Sequence, residues 1–205
     1  MNKTKYFLEV FKKAEKKYGQ YEKRLAGDDW PRDWQTLIAT IMSAQTRDEV
    51  TIPAAEKLFE RYNSLEKLSK ARASDVLKII RPVNFSRTKA KNVVNACKIL
   101  VKDYGGRVPD DIGELVKLPG VGRKTANLVL SEVHAKEGIC VDTHVHRISN
   151  VIGLVNTKMP TETEFALMKI APRKYWSRVN RLFVLWGKEV PGRNKKRLLT
   201  YLNTR

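Results

Sequence analysis

Leu118-Pro119-Gly120-Val121-Gly122-Arg123-Lys124-Thr125-Ala126 decides how this chain is read, and Val141-Asp142-Thr143-His144 follows about one helix later. Pro119, Gly120 and Gly122 forbid a continuous helix, whereas residues 124–135 carry apolar side chains at Ala126, Val129, Leu130 and Val133, the spacing of one helical face. A tight glycine turn therefore delivers the chain into a helix. Glycines let the backbone approach a ligand closely, and the N–H groups at a helix start favour an anion such as phosphate. Lys124 falls in the first turn, where the positive end of the helix dipole disfavours a protonated amine and favours the neutral, nucleophilic one.

Outward from this stretch the chain reads as helices joined by short turns. Phe7, Val10, Phe11, Ala14 and Tyr18 share a face that ends near Gly19, and Trp34, Leu37, Ile38, Ile41 and Met42 make a second after the loop Asp28-Asp29-Trp30-Pro31. Thr46 and Glu49 fit a capping box, opening a helix that Pro53 disturbs or begins anew. Ser64 and Ser74 each precede a short helical run. Ala90, Val93, Val94, Cys97, Leu100, Val101 and Tyr104 form the clearest amphipathic helix, stopped by Gly105-Gly106. Residues 108–111 read as a turn and 112–117 as the helix before the glycine turn. Past Asp142 the pattern predicts a helix to about Ile152, a second capping box at Thr161 and Glu164, and a helix from about Lys174 to Trp186. Alternating strand patterns are nearly absent, so the fold class is all-α.

Composition narrows the partner. The 205 residues suffice for one large or two small domains, and 40 Lys plus Arg against 22 Asp plus Glu give a formal net charge of +18. That excess points to a polyanion, nucleic acid before an anionic membrane, because the cations are spread along the chain rather than gathered beside one amphipathic anchor. A solubilising surface is the plainer alternative. No apolar run approaches transmembrane length and the first residues run straight into a helical pattern, so the reading is an intracellular protein without a signal peptide. Two cysteines, Cys97 and Cys140, make neither a disulfide framework nor a four-cysteine metal site, and both fall at apolar positions.

At residues 118–126 the likeness becomes specific: the run resembles the helix-hairpin-helix of the endonuclease III family of DNA glycosylases. Asp142 falls where that family carries its catalytic aspartate, and Met42-Ser43-Ala44-Gln45-Thr46-Arg47-Asp48 is similar to a further stretch of it. The resemblance runs from about residue 34 to about residue 187. It implies a two-lobed helix-hairpin-helix DNA glycosylase fold, with residues 26–136 a six-helix bundle ending in the hairpin, residues 1–25 plus 137–205 a second lobe, and the active-site cleft between the lobes. It further implies base excision repair with abasic-site lyase activity on oxidised pyrimidines in double-stranded DNA, by a protein acting as a monomer. Mismatch thymine or uracil glycosylases and oxidised-guanine glycosylases share the fold, and a non-catalytic helix-hairpin-helix binding module is the rival of another class.

The chemistry explains why such a site needs both groups. Cutting a base from deoxyribose builds positive charge on the sugar, which a carboxylate stabilises, and the resemblance gives that part to Asp142. An amine attacking the same carbon would make an imine, and the resemblance gives that part to Lys124. A plain helix cap and a surface lysine are the alternative readings of the two residues. A base must leave the stack before it is cut. Gln45 matches the family's plug glutamine and Phe85, in Asn84-Phe85-Ser86-Arg87, its apolar wedge, unless that ring folds back on the core. Leu118, Gly120, Val121, Gly122, Arg123 and Thr125 would meet the DNA backbone, with His144 beside the site.

Asp142-x-His144-x-His146 places three possible metal ligands at alternate positions, which share a side of a strand but not of a helix, so no catalytic metal is expected. His146 would instead cap a helix or contact phosphate. Relatives commonly end in a four-cysteine iron–sulfur loop, whereas this chain has none after Trp186-Gly187 and carries Arg193, Lys195, Lys196, Arg197 and Arg205 there. The expectation is no cofactor and no cluster, with the basic tail either contacting DNA or packing as a terminal helix.

Overall fold

The computed structural model describes residues 2–20, 24–134 and 138–203. The end of the hairpin's second helix at Ala135, the boundary at residues 136 and 137, and Arg205 lie outside them. All regular structure among the described residues is helical, in twelve α-helices and one 3-10 turn. The chain divides into two compact units, Arg24–Lys136 and Met1–Lys23 with Glu137–Arg205.

The unit 24–136 holds α2 (Asp33–Ser43), α3 (Asp48–Arg61), α4 (Leu65–Ser69), α5 (Ala73–Ile80), α6 (Ser86–Asp103), α7 (Ile112–Leu115) and α8 (Arg123–His134). Nine consecutive residues of α2, Trp34 to Met42, are buried, which makes it the central helix, packed by α3, α6 and α8. The apolar face of α6 buries Val93, Val94, Cys97 and Leu100, each fully buried aliphatic side chain being worth about 1.5–3 kcal/mol. Gly105 and Gly106, at φ +58° and +81°, end it as the sequence predicts, and the Gly106 N–H returns to the Leu100 carbonyl at 2.8 Å.

Three local readings are corrected here. Pro53 neither breaks nor restarts α3, which is continuous, because a proline in its second turn removes only one N–H from the ladder. Thr46 caps nothing: α3 begins at Asp48 with Arg47 at its N-cap, and the Thr46 hydroxyl instead takes hydrogen bonds from Asn84 and Lys89. Ser64 does cap α4, its hydroxyl accepting from the Lys67 N–H, whereas Ser74 lies inside α5 behind Arg72.

The second unit holds α1 (Lys3–Tyr18), α9 (Thr143–Val151), α10 (Pro160–Ile170), a 3-10 turn at Arg173–Tyr175, α11 (Trp176–Glu189) and α12 (Lys195–Tyr201). Phe7, Val10, Phe11, Ala14 and Tyr18 are buried from α1 and meet a core built around Phe183 and Trp186 of α11. The second capping box sits two residues earlier than its sequence reading. Pro160, suited to a first helical position, opens α10, and Glu162 accepts from the Lys158 and Met159 N–H groups. No described helix is long and apolar enough to cross a membrane.

Candidate active site

The hairpin is built by a proline–glycine turn between two helices. Asp111 caps α7 through the Glu114 N–H, and Glu114 accepts from the Tyr104 hydroxyl at 2.7 Å and the Lys117 ammonium at 2.6 Å, tying α7 to the end of α6. Those bonds, Lys117 first and then Tyr104, hold the Glu114 carboxyl below its ordinary range. The Val121 N–H reaches back to the Leu118 carbonyl at 3.1 Å across Pro119 and Gly120. Gly120 has φ +84°, and a Cβ there would stand 3.0 Å from both Asn92 and Ile41, so conformation and space both demand glycine. A Cβ on Gly122 would meet nothing within 4 Å, leaving that stretch of backbone open to an incoming group.

Leu118, Val121 and Thr125 are buried, so their side chains anchor the hairpin and only their backbone can face a ligand. Arg123 and Lys124 are exposed in the first turn of α8, whose ladder begins with the Ala126 N–H on the Gly122 carbonyl. An open glycine backbone, a helix start and two cations thus occupy three consecutive residues, 122–124.

Gln45 and Phe85 are held in a second pair of turns in the same unit. Both are non-glycine residues in the left-handed region, at φ +55° and +56°, and both side chains are exposed. Phe85 is 65% exposed, which excludes the reading in which its ring folds back on the core. The two turns are bonded to each other: the Asn84 amide donates to the Gln45 carbonyl at 2.6 Å, and the Asn84 N–H to the Thr46 hydroxyl at 3.2 Å.

Between them lies a residue that no sequence motif singles out. Lys89 is 6% exposed, and its ammonium donates to the Met42 carbonyl at 2.6 Å, the Ala44 carbonyl at 2.5 Å and the Thr46 hydroxyl at 3.0 Å. Burial pushes this amine down to about 8. The signal was present: Lys89 shares the register of Val93, Ala96 and Leu100, a lysine on a buried helical face.

In the other unit Asp142 is the N-cap of α9, its Oδ1 accepting from the Val145 N–H at 2.8 Å. The segment before it is buried at Ile139, Cys140 and Val141, and the buried Asn180 amide donates to the Cys140 carbonyl at 3.0 Å. The cap reading is therefore correct as geometry, and the second carboxylate oxygen is not used by it. One turn on, Arg147 donates to the carbonyls of Gly187, Val190 and Gly192, clamping the chain that follows α11. Burial lowers the Arg147 guanidinium from its ordinary value, and the charge of Asp142 opposes that shift. His144 lies against Gly187, where any Cβ would overlap its ring. Arg147 and Gly187 were both missed, since neither stands out by type or spacing.

His146 is tied into the packing of its own unit. Its Nδ1 is bonded to the Thr163 hydroxyl at 2.7 Å, in a network with Asn150 and Thr157 that joins α9 to α10. Among the described residues no three His, Cys, Asp or Glu side chains are grouped to hold a metal ion. A four-thiolate cluster does not fit this chain. Its two cysteines are both buried, Cys97 in one unit and Cys140 in the other, and burial pushes the Cys97 thiol up to about 12. The tail packs as α12 through Leu198 and Leu202 while Arg193, Lys195, Lys196 and Arg197 stay exposed.

An all-helical chain with this hairpin and an aspartate-capped helix after it has the parts of a repair glycosylase, and residues 38–173 match the HhH-GPD superfamily of base excision DNA repair proteins. Endonuclease III of Thermotoga maritima is 48% identical over 157 residues, covering 77% of this chain and 74% of the relative. That of Rickettsia felis is 37% identical over 161 residues, 78% and 76% of the two chains. The solved structure of a trapped endonuclease III–DNA covalent intermediate, an estranged-adenine complex, is similar at TM-score 0.85 and 32% identity, covering 92% of this chain and 88% of that one. The chain belongs to the endonuclease III family and is a base excision repair DNA glycosylase with abasic-site lyase activity.

Proposed function

We propose that this enzyme removes oxidised pyrimidines from double-stranded DNA through a Schiff base on Lys124. The observation that carries the reading is the placement of Lys124, exposed in the first turn of the helix that follows the open glycine backbone. Backbone N–H groups at 120–123 grip a phosphate, which brings the sugar of the damaged nucleotide to the amine. The Lys124 amine attacks C1′ as the C1′–N bond to the base breaks, and the base leaves with that electron pair and gains a proton. The ring oxygen then departs from C1′, giving the open-chain imine. Loss of a C2′ proton expels the 3′ phosphate by cleavage of the C3′–O bond, and water finally releases the sugar and restores the amine.

Asp142 stabilises the positive charge that develops on the sugar and moves protons through the oxygen its cap leaves available. Gln45 fills the space of the extruded base and the Phe85 ring wedges the stack, a reading supported by their exposure on adjoining turns. Leu118, Gly120, Val121 and Gly122 would contribute backbone, Arg123 charge, and His144 a flank beside Asp142. No iron–sulfur cluster enters this reading, and the exposed Arg193, Lys195, Lys196 and Arg197 contribute phosphate contacts. With DNA as substrate the enzyme acts inside the cell, as a monomer. It shares a covalent step with the relative trapped on DNA.

Borohydride trapping on duplex DNA with one abasic site tests the assignment. Wild type should give the covalent adduct, and Lys124→Ala should reduce it to background. Equal trapping by both would remove Lys124 from the mechanism, and release of bases other than oxidised pyrimidines from single-lesion duplexes would change the substrate class.

A further inference from the structure

Among the described residues three non-glycine residues have positive φ: Asp29, Gln45 and Phe85. Bulky residues stay in that region only where their surroundings over-determine them. For Gln45 and Phe85 the surroundings form one closed circuit. Lys89, in the first turn of α6, bonds the Met42 and Ala44 carbonyls at the end of α2 and the Thr46 hydroxyl beyond Gln45. Its own N–H bonds the Phe85 carbonyl at 3.0 Å, and Asn84 bonds both Gln45 and Thr46. Both ends of the circuit project an exposed side chain.

We infer that Lys89, with Asn84, is a positioning residue that locks the Gln45 turn and the Phe85 turn into one rigid device, so that amide and ring enter the duplex at a fixed separation. The inference rests on the reading of Gln45 and Phe85 as the inserted pair. A buried ammonium is a costly way to terminate a helix whose last carbonyls could face water, and α2 and α6 already pack through apolar side chains. What the ammonium adds is three directed bonds reaching across from α6 to both sides of Gln45. Setting the geometry before DNA arrives removes the ordering that two separate turns would otherwise undergo during base extrusion.

The test is single-turnover excision from a duplex by Lys89→Met, Asn84→Ala and Gln45→Ala/Phe85→Ala, and by the last with Lys89→Met added. Lys89→Met should slow duplex excision roughly 10- to 100-fold and Asn84→Ala less, the scale of an ångström of misplacement. Added to the variant that already lacks amide and ring, Lys89→Met should cost less than about threefold, because a device with nothing to present has nothing to position. If Lys89→Met instead multiplies its full loss onto that variant, or leaves duplex excision unchanged while Gln45→Ala/Phe85→Ala lowers it, the positioning role is overturned. If Gln45→Ala/Phe85→Ala is as active as wild type, it is the insertion reading that fails. Where Lys89→Met does not fold by circular dichroism, Asn84→Ala takes its place in the same cycle, since its amide bond lies on the surface. Additive loss for Asn84→Ala then overturns the inference as well.

Discussion

The turn at 118–122 and the pair of turns at Gln45 and Phe85 hold candidate site residues in the same helical unit by opposite means. In the hairpin the left-handed position falls on a glycine, and the bonds that shape the turn come from residues within a few positions of it. In the paired turns it falls on a glutamine and a phenylalanine, held by a lysine and an asparagine about forty positions from Gln45. Asp142 in the other unit follows the hairpin's pattern, shaping its own helix start through the Val145 N–H. A locally held turn survives changes elsewhere in the fold. A turn held from a distance keeps its geometry only while the tertiary contacts do.

The contrast can be broken at several places. The largest effect is expected at Asp142, where Asn can still cap the helix but a neutral amide cannot balance charge on the sugar. Asp142→Asn should therefore keep its melting temperature and its duplex affinity while single-turnover base release falls about 10²–10³-fold. A release rate equal to wild type would leave Asp142 only its structural part.

A middle-sized effect separates the two kinds of turn by stability. Gly120→Ala meets both a left-handed φ and contacts at 3.0 Å, and should destabilise by about 1–3 kcal/mol in urea unfolding. Gln45→Gly relaxes a left-handed residue and should change stability by less than about 1 kcal/mol, in the stabilising direction. Matching losses in both would show that the paired turns carry no strain.

The smallest effect is electrostatic. The Lys89 amine falls from 10.5 to about 8 on folding, so between those values the unfolded chain binds more protons and stability rises with pH. The contribution is present above the unfolded value and lost as pH falls through the folded one. From pH 7 to 9 wild type should gain about 1–1.5 kcal/mol over Lys89→Met, read as the difference between their urea midpoints. A pH-independent difference would mean that folding leaves the amine unshifted.

Much of this was legible in the sequence because it is local. Helical periodicity predicts α1, α2, α6 and α11, and Gly105-Gly106 and the proline–glycine hairpin stop and start helices through backbone conformation alone. Where local rules compete, the sequence misleads. Thr46 has a cap's spacing to Glu49, but its hydroxyl is claimed by groups near residues 84 and 89. Lys89 offered one visible sign, a charge on an apolar face, but its three acceptors lie more than forty positions away.

By itself, then, the sequence determined the helical class, the hairpin with Lys124 at its helix start, the cap at Asp142 and the shortage of thiolates for a cluster. Each depends on neighbours in the chain or on residue counts. Tertiary structure alone decided that the Phe85 ring is exposed, that a buried ammonium ties its turn to Gln45, and that Arg147 and Gly187 back the segment around Asp142 and His144. Those are contacts between residues far apart in sequence, set by how helices pack, and no period or motif in one stretch encodes them.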